Sequence, residues 1–439
     1  MNVRMMPIVG LPLCLLFLTA AQNATAAEKT LTLPEAIDIA LVQHPAIRVG
    51  QATIEAAQQR VYQQETGYLP RGGYTYVYTR QQRGITSAVG GVQVGGGPLR
   101  STTETFNFNS TNFSMSQLLF DFGSTLDAIR AAAASMEASV ADLETTRQTV
   151  IFNTKQAYYA LLSAQRLLKV AEETVQQNQK HLEEAQARFD VGVAPRFDVT
   201  QAQVQVSNAE LNLITARNNV ALGRETLRTA MGITGPFEFI LVDTLERQAV
   251  PIDDKDLLPL AYATRPELQS LRAQQRSNAD QISSLQKQYL PSVSGNAQYN
   301  WTGREYPLVQ GWVWGVTLTM PLFDSILTTA EVGEAKANLR GLKAQEDNLR
   351  QQVTLEVRQS LLDLHRAEQS IRVSEQTVVQ AQENLELAEG RYAAGVGNII
   401  EVTDAQVSLT SAQANNIQAL YTYKTALAQL EKAIGRSLE

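Results

Sequence analysis

The sequence predicts an α+β membrane protein in which long α-helical coiled coils join a transmembrane β-barrel of four strands per protomer, built by internal duplication. Three observations carry this expectation. A passage in the middle of the chain returns near its end, two regions alternate apolar and polar residues with a period of two, and two long segments step their apolar residues by three and four.

The duplication is read residue by residue. "ARFDVGVAPRFDVTQAQ" (187–203) returns as "GRYAAGVGNIIEVTDAQ" (390–406). Matching Arg188 to Arg391 sets an offset of 203 (391 − 188), and Gly192, Asp198, Val199, Ala202 and Gln203 then meet Gly395, Glu401, Val402, Ala405 and Gln406. Upstream, "LTLPEAIDIALVQHPAIR" (31–48) is echoed by "KDLLPLAYATRPELQSLR" (255–272), and "YLP" at 68–70 recurs at 289–291, an offset of 221. "LLFD" (118–121) and "PLFD" (321–324) restore 203, so the first copy holds 18 extra residues (221 − 203) between these markers. The Gly-rich "GGVQVGGGP" accounts for them as a loop, and no Gly-Lys-Ser/Thr follows it to make a phosphate site.

The elements follow in order. Residues 1–26 read as a secretory signal, because Arg4 precedes the apolar run Ile8–Ala21 and Ala24-Thr25-Ala26 has the small-x-small cleavage pattern. The one cysteine, Cys14, sits inside that run behind Leu13, not behind a small residue, so it reads as signal core and not as a lipid anchor. The mature chain is then without thiols. The first repeat, 27–234, holds a helix, a β-hairpin at about 68–121, a long helix at about 124–190 and a return helix at about 197–232. A short strand and linker occupy 235–254. The second repeat, 255–439, holds a helix, a hairpin at about 289–324, a long helix at about 326–393 and a return helix at about 399–434.

In the second hairpin Val293, Gly295, Ala297, Tyr299 and Trp301 alternate with Ser294, Asn296, Gln298, Asn300 and Thr302. Trp312, Trp314, Val316, Leu318 and Met320 then take every other position. Tyr74, Tyr76 and Tyr78, followed by Phe106 and Phe108, alternate similarly in the first. An aromatic-rich face backed by a polar one fits a membrane barrel strand, and it fits a half-buried strand of a soluble sandwich equally well. The helices decide between the two. From Ile129, Ala133, Met136, Val140 and Leu143 to Ala185 and Phe189 each step is three or four, the left-handed coiled-coil pattern, with only Arg147, Thr154 and Asn178 polar on the stripe. The second copy keeps the later part of the stripe, Val353 to Tyr392, and shifts register upstream at Val332–Leu349, which reads as a stutter. A helix over 124–190 is about 100 Å long and each return helix about 54 Å, at the α-helical rise per residue.

Four strands do not close a barrel, and an open sheet edge in lipid leaves backbone groups unsatisfied at several kcal/mol each. Two chains supply eight strands, a barrel that side chains fill. Three supply twelve, leaving a lumen that the long helices continue as a tube. The net charge of −7 argues against nucleic acid as a partner. His44, His181 and His365 are isolated in sequence, so no metal or other cofactor is expected. No nucleophile–base constellation marks an enzyme. The alternative class, a periplasmic adaptor, has one coiled-coil hairpin, a lipoyl-type segment and an inner-membrane anchor, and the sequence shows none of that set.

The duplicated "LxLxEAIxxAL…HP" start, the strand pairs ending in "LFD" and the paired "VGVAPRFDV" and "AGVGNIIEV" turns resemble the TolC-like outer membrane efflux family over essentially all of the mature chain. The resemblance implies a homotrimer in outer membrane lipid, with a twelve-stranded barrel, an α-helical periplasmic tunnel and an equatorial mixed domain. It implies a channel-tunnel for export, docked by a periplasmic adaptor and an inner-membrane pump of RND, ABC or MFS type, with type I protein secretion as the alternative to small-molecule efflux.

The resemblance also assigns residues. Glu401 and Asp404, three apart on one helical face, match an acidic ring at the periplasmic constriction, and Asp198 and Tyr392 match a contact between helices at the tip. Val191, Gly192, Val193, Gly395, Val396 and Gly397 form the tip turns for adaptor docking. Tyr74, Tyr76, Tyr78, Trp301, Trp312 and Trp314 are membrane-interface aromatics. The chain departs from some relatives in two places: it has no lipidated mature cysteine, and Gly397 and Asn398 stand where a basic partner would follow the second-copy glycine. Read from the residues alone, Asp198 and Glu401 also fit helix caps or dipole partners, whereas Asp404, a turn further in, fits the pore role better.

Overall fold

The computed structural model describes residues 29–85, 102–235, 238–246 and 257–437. The signal segment at 1–26, the "GGVQVGGGP" loop and part of the 235–254 linker lie outside the described residues. The first copy runs β1 (Lys29–Leu31), α1 (Leu33–Gln43), α2 (Pro45–Glu65), β2 (Arg71–Ile85), β3 (Thr102–Phe120), α3 (Ser124–Asp190) and α4 (Arg196–Ala230). After β4 (Phe239–Leu241), the second runs α5 (Leu257–Thr264), α6 (Pro266–Lys287), β5 (Ser292–Gly303), β6 (Val309–Thr319), α7 (Leu327–Ala393) and α8 (Ile399–Ile434).

Both 67-residue helices start three residues after the aspartate of the repeated "LFD", which reaches forward to their first turn. Asp121 accepts hydrogen bonds from the backbone N–H of Gly123 at 3.0 Å and of Thr125 at 2.6 Å, and Asp324 accepts from Thr328 N at 3.1 Å. These satisfy donors that the first helical turn leaves open. Burial opposes the charge on Asp121, but the hydrogen bonds from Thr125 and Gly123 outweigh it and hold the carboxyl below its ordinary range. Asp324 is held low chiefly by the Thr328 hydroxyl and then by the Thr328 backbone. The repeat extends to backbone strain. Phe122 and Ser325, 203 apart, are the two non-glycine residues with positive φ among those described.

One antiparallel sheet takes the order β2-β3-β5-β6. Its register lines up Tyr74, Phe113, Tyr299 and Trp312 as direct cross-strand partners. Tyr76, Tyr78, Trp301 and Trp314 lie an even number of residues from these, so all six aromatics singled out in the sequence share one face. The opposite face is polar, with Asn112 against Asn300, Ser114 against Gln298 and Ser116 against Asn296. Phe106 and Phe108 belong to this second face, because the β2–β3 register runs unbroken and places them opposite in parity to Phe113. Their alternation resembles that of the tyrosines, but its phase is reversed. The Arg304 guanidinium, from the β5–β6 turn, stacks 3.8 Å over the Phe106 ring. Because β3 and β6 run parallel through this order, α3 and α7 leave the sheet in the same direction.

Near the sheet, α3 packs between α2 and α6, and α6 packs on α7; beyond the middle, α3 packs between α4 and α8, and α8 packs on α7. Stripe residues Leu143, Val150, Ala157, Leu161, Val175 and Ala185 are buried, as are Val353, Val357, Leu364, Ile371 and Leu385 on α7. At the equator burial on α3 widens beyond the stripe, and Tyr158, Tyr159, Leu162 and Ser163 are also covered. The cover is the parallel β1–β4 pair, α5 and the end of α8. The Tyr158 hydroxyl lies 2.8 Å from the carbonyl of Val242 and 3.1 Å from that of Leu31, tying the strand pair to α3. Burial pushes its phenol up to about 12. In the same layer Lys155 and Glu431 form a buried ion pair at 2.5 Å.

Candidate functional site

Each long helix ends in the same turn. Gly192 and Gly395 adopt left-handed backbone (φ 76° and 74°) and donate to the carbonyls of Phe189 and Tyr392 at 2.9 and 3.1 Å. Val193 and Val396 donate one residue further back, to Arg188 and Arg391, at 3.0 and 3.1 Å. This is the paired-bond helix ending that a glycine permits. It turns Val191, Val193 and Val396 outward, each at least 70% exposed. The second copy adds one bond, from Gly397 N to the Arg391 carbonyl at 2.9 Å.

The predicted site residues come together at these turns. Tyr392 is buried in a cluster with Leu385, Ala388, Ile399, Val402, Ala405 and Leu409, which closes the α7–α8 hairpin. Among the described residues its buried hydroxyl has no hydrogen-bond partner. Arg188 reaches across from α3: its guanidinium stacks 4.4 Å over the Tyr392 ring and donates to the carbonyls of Tyr392 and Ala393 at 3.0 and 3.3 Å. Burial raises the Asp198 carboxyl, with the charge of Arg188 pulling the other way, and burial followed by the Asp198 charge raises the Tyr392 phenol. Asp198 therefore acts on Tyr392 through its charge, and Arg188 acts on both.

Glu401 is not a bare acid. Its Oε2 lies 3.1 Å from Arg391 Nε, within the same hairpin. Asp404 is exposed one turn on, and among the described residues no cation pairs with it. Neither Asp198 nor Glu401 caps its helix: α4 has no side-chain cap, and Asn398 caps α8 by accepting from Ile400 N at 2.5 Å. Sequence reasoning missed Arg188, Arg391 and Asn398, although the arginines recur at the 203 offset and an asparagine before an apolar run is a helix-start signal. It also passed over His181, whose Nε2 lies 3.5 Å from Glu389 Oε1 and links α3 to α7. Among the described residues no helix is long and apolar enough to cross a membrane.

The likenesses of the whole chain agree with this geometry. The sequence profile described as outer membrane efflux protein matches residues 36–233 and 257–436, one stretch in each repeat. The chain is 26% identical over 419 residues to outer membrane protein TolC of Escherichia coli strain K12, covering 90% of this chain and 80% of that one. It is also 26% identical over 419 residues to protein CyaE of Bordetella pertussis, covering 93% and 85%. Among solved structures it superposes on the Campylobacter jejuni CmeC outer membrane channel with a TM-score of 0.79 at 19% identity, over 92% of this chain and 85% of the other. The open state of the Neisseria gonorrhoeae MtrE outer membrane channel gives 0.76 at 19% identity, over 93% and 89%. With a four-stranded sheet, duplicated 67-residue helices and both repeats matched, the chain belongs to the outer membrane efflux protein family and is an outer membrane channel-tunnel.

Proposed function

We propose that three copies of the chain close a twelve-stranded barrel, continue it as a helical tube through the periplasm, and gate it at the tips, where a periplasmic adaptor and an inner-membrane pump engage. The observation that carries this is a sheet with two open edges, β2 and β6, from which two 67-residue helices leave in one direction. An edge left open in lipid is too costly to persist, so neighbouring copies supply the missing strands. The aromatic face then meets lipid and the polar face the lumen. Lower down, exposed Leu211, Ile214 and Leu222 on α4 and Leu355, Leu362 and Leu387 on α7 sit at opposite margins of the row α4–α3–α8–α7, where adjoining copies would cover them. The protein acts as a conduit and not as a catalyst, and carries small molecules or secreted protein delivered by the pump.

At the tip, three copies of Asp404 and Glu401 surround the narrowest opening and favour cations by focusing negative potential. The Arg188–Tyr392–Asp198 group holds α3 against the second-copy hairpin and keeps the opening small. The test is single-channel recording on detergent-purified protein in planar bilayers. The protein is expected to be a trimer of low conductance and cation preference that weakens with salt. Glu401→Gln with Asp404→Asn should lower the K+/Cl− permeability ratio several-fold with the trimer intact, and Asp198→Ala should raise conductance with little change in that ratio. A stable folded monomer in detergent would overturn the assembly, and a double amide variant with wild-type selectivity would remove the acids from the ion path.

A further inference from the structure

We propose that Arg391 is a built-in counter-ion of the gate, placed on Glu401 by the glycine at position 397, so that the tip ring carries three free carboxylates, those of Asp404, in place of six. The proposal rests on the reading of the tips as the constriction.

The duplicated chain contains its own control. Arg188 and Arg391 are equivalent at the 203 offset, as are Asp198 and Glu401, and between them Ala194 stands against Gly397 and Pro195 against Asn398. Where glycine stands, the turn tightens: Gly397 N bonds the Arg391 carbonyl at 2.9 Å, and Arg391 Nη2 reaches the Val396 carbonyl at 3.4 Å while its Nε meets Glu401 at 3.1 Å. A Cβ on Gly397 would lie 2.9 Å from Arg391 Cβ and 2.9 Å from Tyr392 N, too close for either to remain in place. Where alanine stands, among the described residues there is no bond from Ala194 N to the Arg188 carbonyl and no ion pair between Arg188 and Asp198. Arg188 turns away instead, to the Tyr392 ring and the carbonyls of Tyr392 and Ala393. Thus the room left at Gly397 lets Arg391 lie on Glu401, and the two equivalent arginines take two tasks. The first joins the repeats, and the second neutralises an acid.

The Arg391–Glu401 pair is half-exposed on both sides, and exposed pairs add little to stability. Its consequence lies in the field. Three arginines at this distance cancel most of the potential of three of the six carboxylates, which lowers affinity for multivalent cations at the opening. The basic residue absent at 397 is therefore replaced by one six positions earlier in sequence and adjacent in space.

The test measures block of single-channel current by La3+, together with the K+/Cl− permeability ratio, on intact trimers of the full chain. Arg391→Gln should tighten La3+ block by tenfold or more and raise the cation preference, and adding Glu401→Gln should abolish that gain. Gly397→Ala, which keeps every charge but displaces Arg391, should shift block in the same direction as Arg391→Gln. If Glu401→Gln with Asp404→Asn weakens block but Arg391→Gln leaves it within twofold of wild type, the counter-ion is overturned while the gate stands. If the double amide variant changes neither block nor selectivity, the acids do not line the opening and both readings fall.

Discussion

Lys155→Met is expected to destabilise the protein by about 3–5 kcal/mol, the typical cost of removing one partner from a buried ion pair. Lys155 on α3 and Glu431 on α8 lie at 2.5 Å with side chains only 10% and 8% exposed. Truncating the lysine removes the cation from a buried carboxylate in the equatorial core, whose Oε1 accepts from the Ser437 hydroxyl at 3.2 Å, and a neutral donor offsets less of its desolvation than the ammonium does. Replacing both residues, Lys155→Met with Glu431→Leu, should recover most of the loss, because an apolar pair of similar volume needs no solvation. The measurement is the urea midpoint of the detergent-solubilised protein. A single variant within about 1 kcal/mol of wild type would show that water reaches the pair.

Gly232→Ala is expected to cost more than 3 kcal/mol, roughly 1–2 from left-handed backbone and the remainder from overlap. Its φ is 74°, and a Cβ there would lie 2.6 Å from His44 Cα and 3.0 Å from His44 N. Both are backbone atoms, so no rotamer change relieves the contact. His44 is also the residue that ends α1 and caps α2 through Nδ1, 3.2 Å from Ala46 N, and displacing it disturbs both helices. Gly192→Ala is the control. It has nearly the same φ, 76°, but among the described residues nothing lies within 4 Å of the added atom, so it should lose only the conformational part, roughly 1–2 kcal/mol. Equal losses at the two positions would mean that the close approach to His44 relaxes freely.

Much of this architecture was legible in the chain because it is periodic. The step of three and four predicts one helix over 124–190, and α3 spans Ser124–Asp190. The period of two predicts paired strands, and the turn glycines recur at one offset with matching φ. What periodicity does not carry is phase against another element. Phe106 and Phe108 share the alternation of the tyrosines yet fall on the other face, since only the β2–β3 register fixes which side each strand presents. The stripe on α3 likewise gives no sign that Tyr158, Tyr159, Leu162 and Ser163 are buried beside it, because that cover comes from β1, β4 and α8, distant in sequence.

The tip divides in the same way. Repeated glycines and acids are local, and the sequence by itself determines the turns, the restarting helices and the candidate acids. Which arginine faces which acid was decided only in three dimensions. Arg188 and Arg391 occupy equivalent places in two copies of one motif, yet one stacks on Tyr392 and the other pairs with Glu401. A local pattern specifies backbone dihedrals and burial period, whereas partners of charged side chains depend on a few tenths of an ångström between segments that tertiary packing alone brings together.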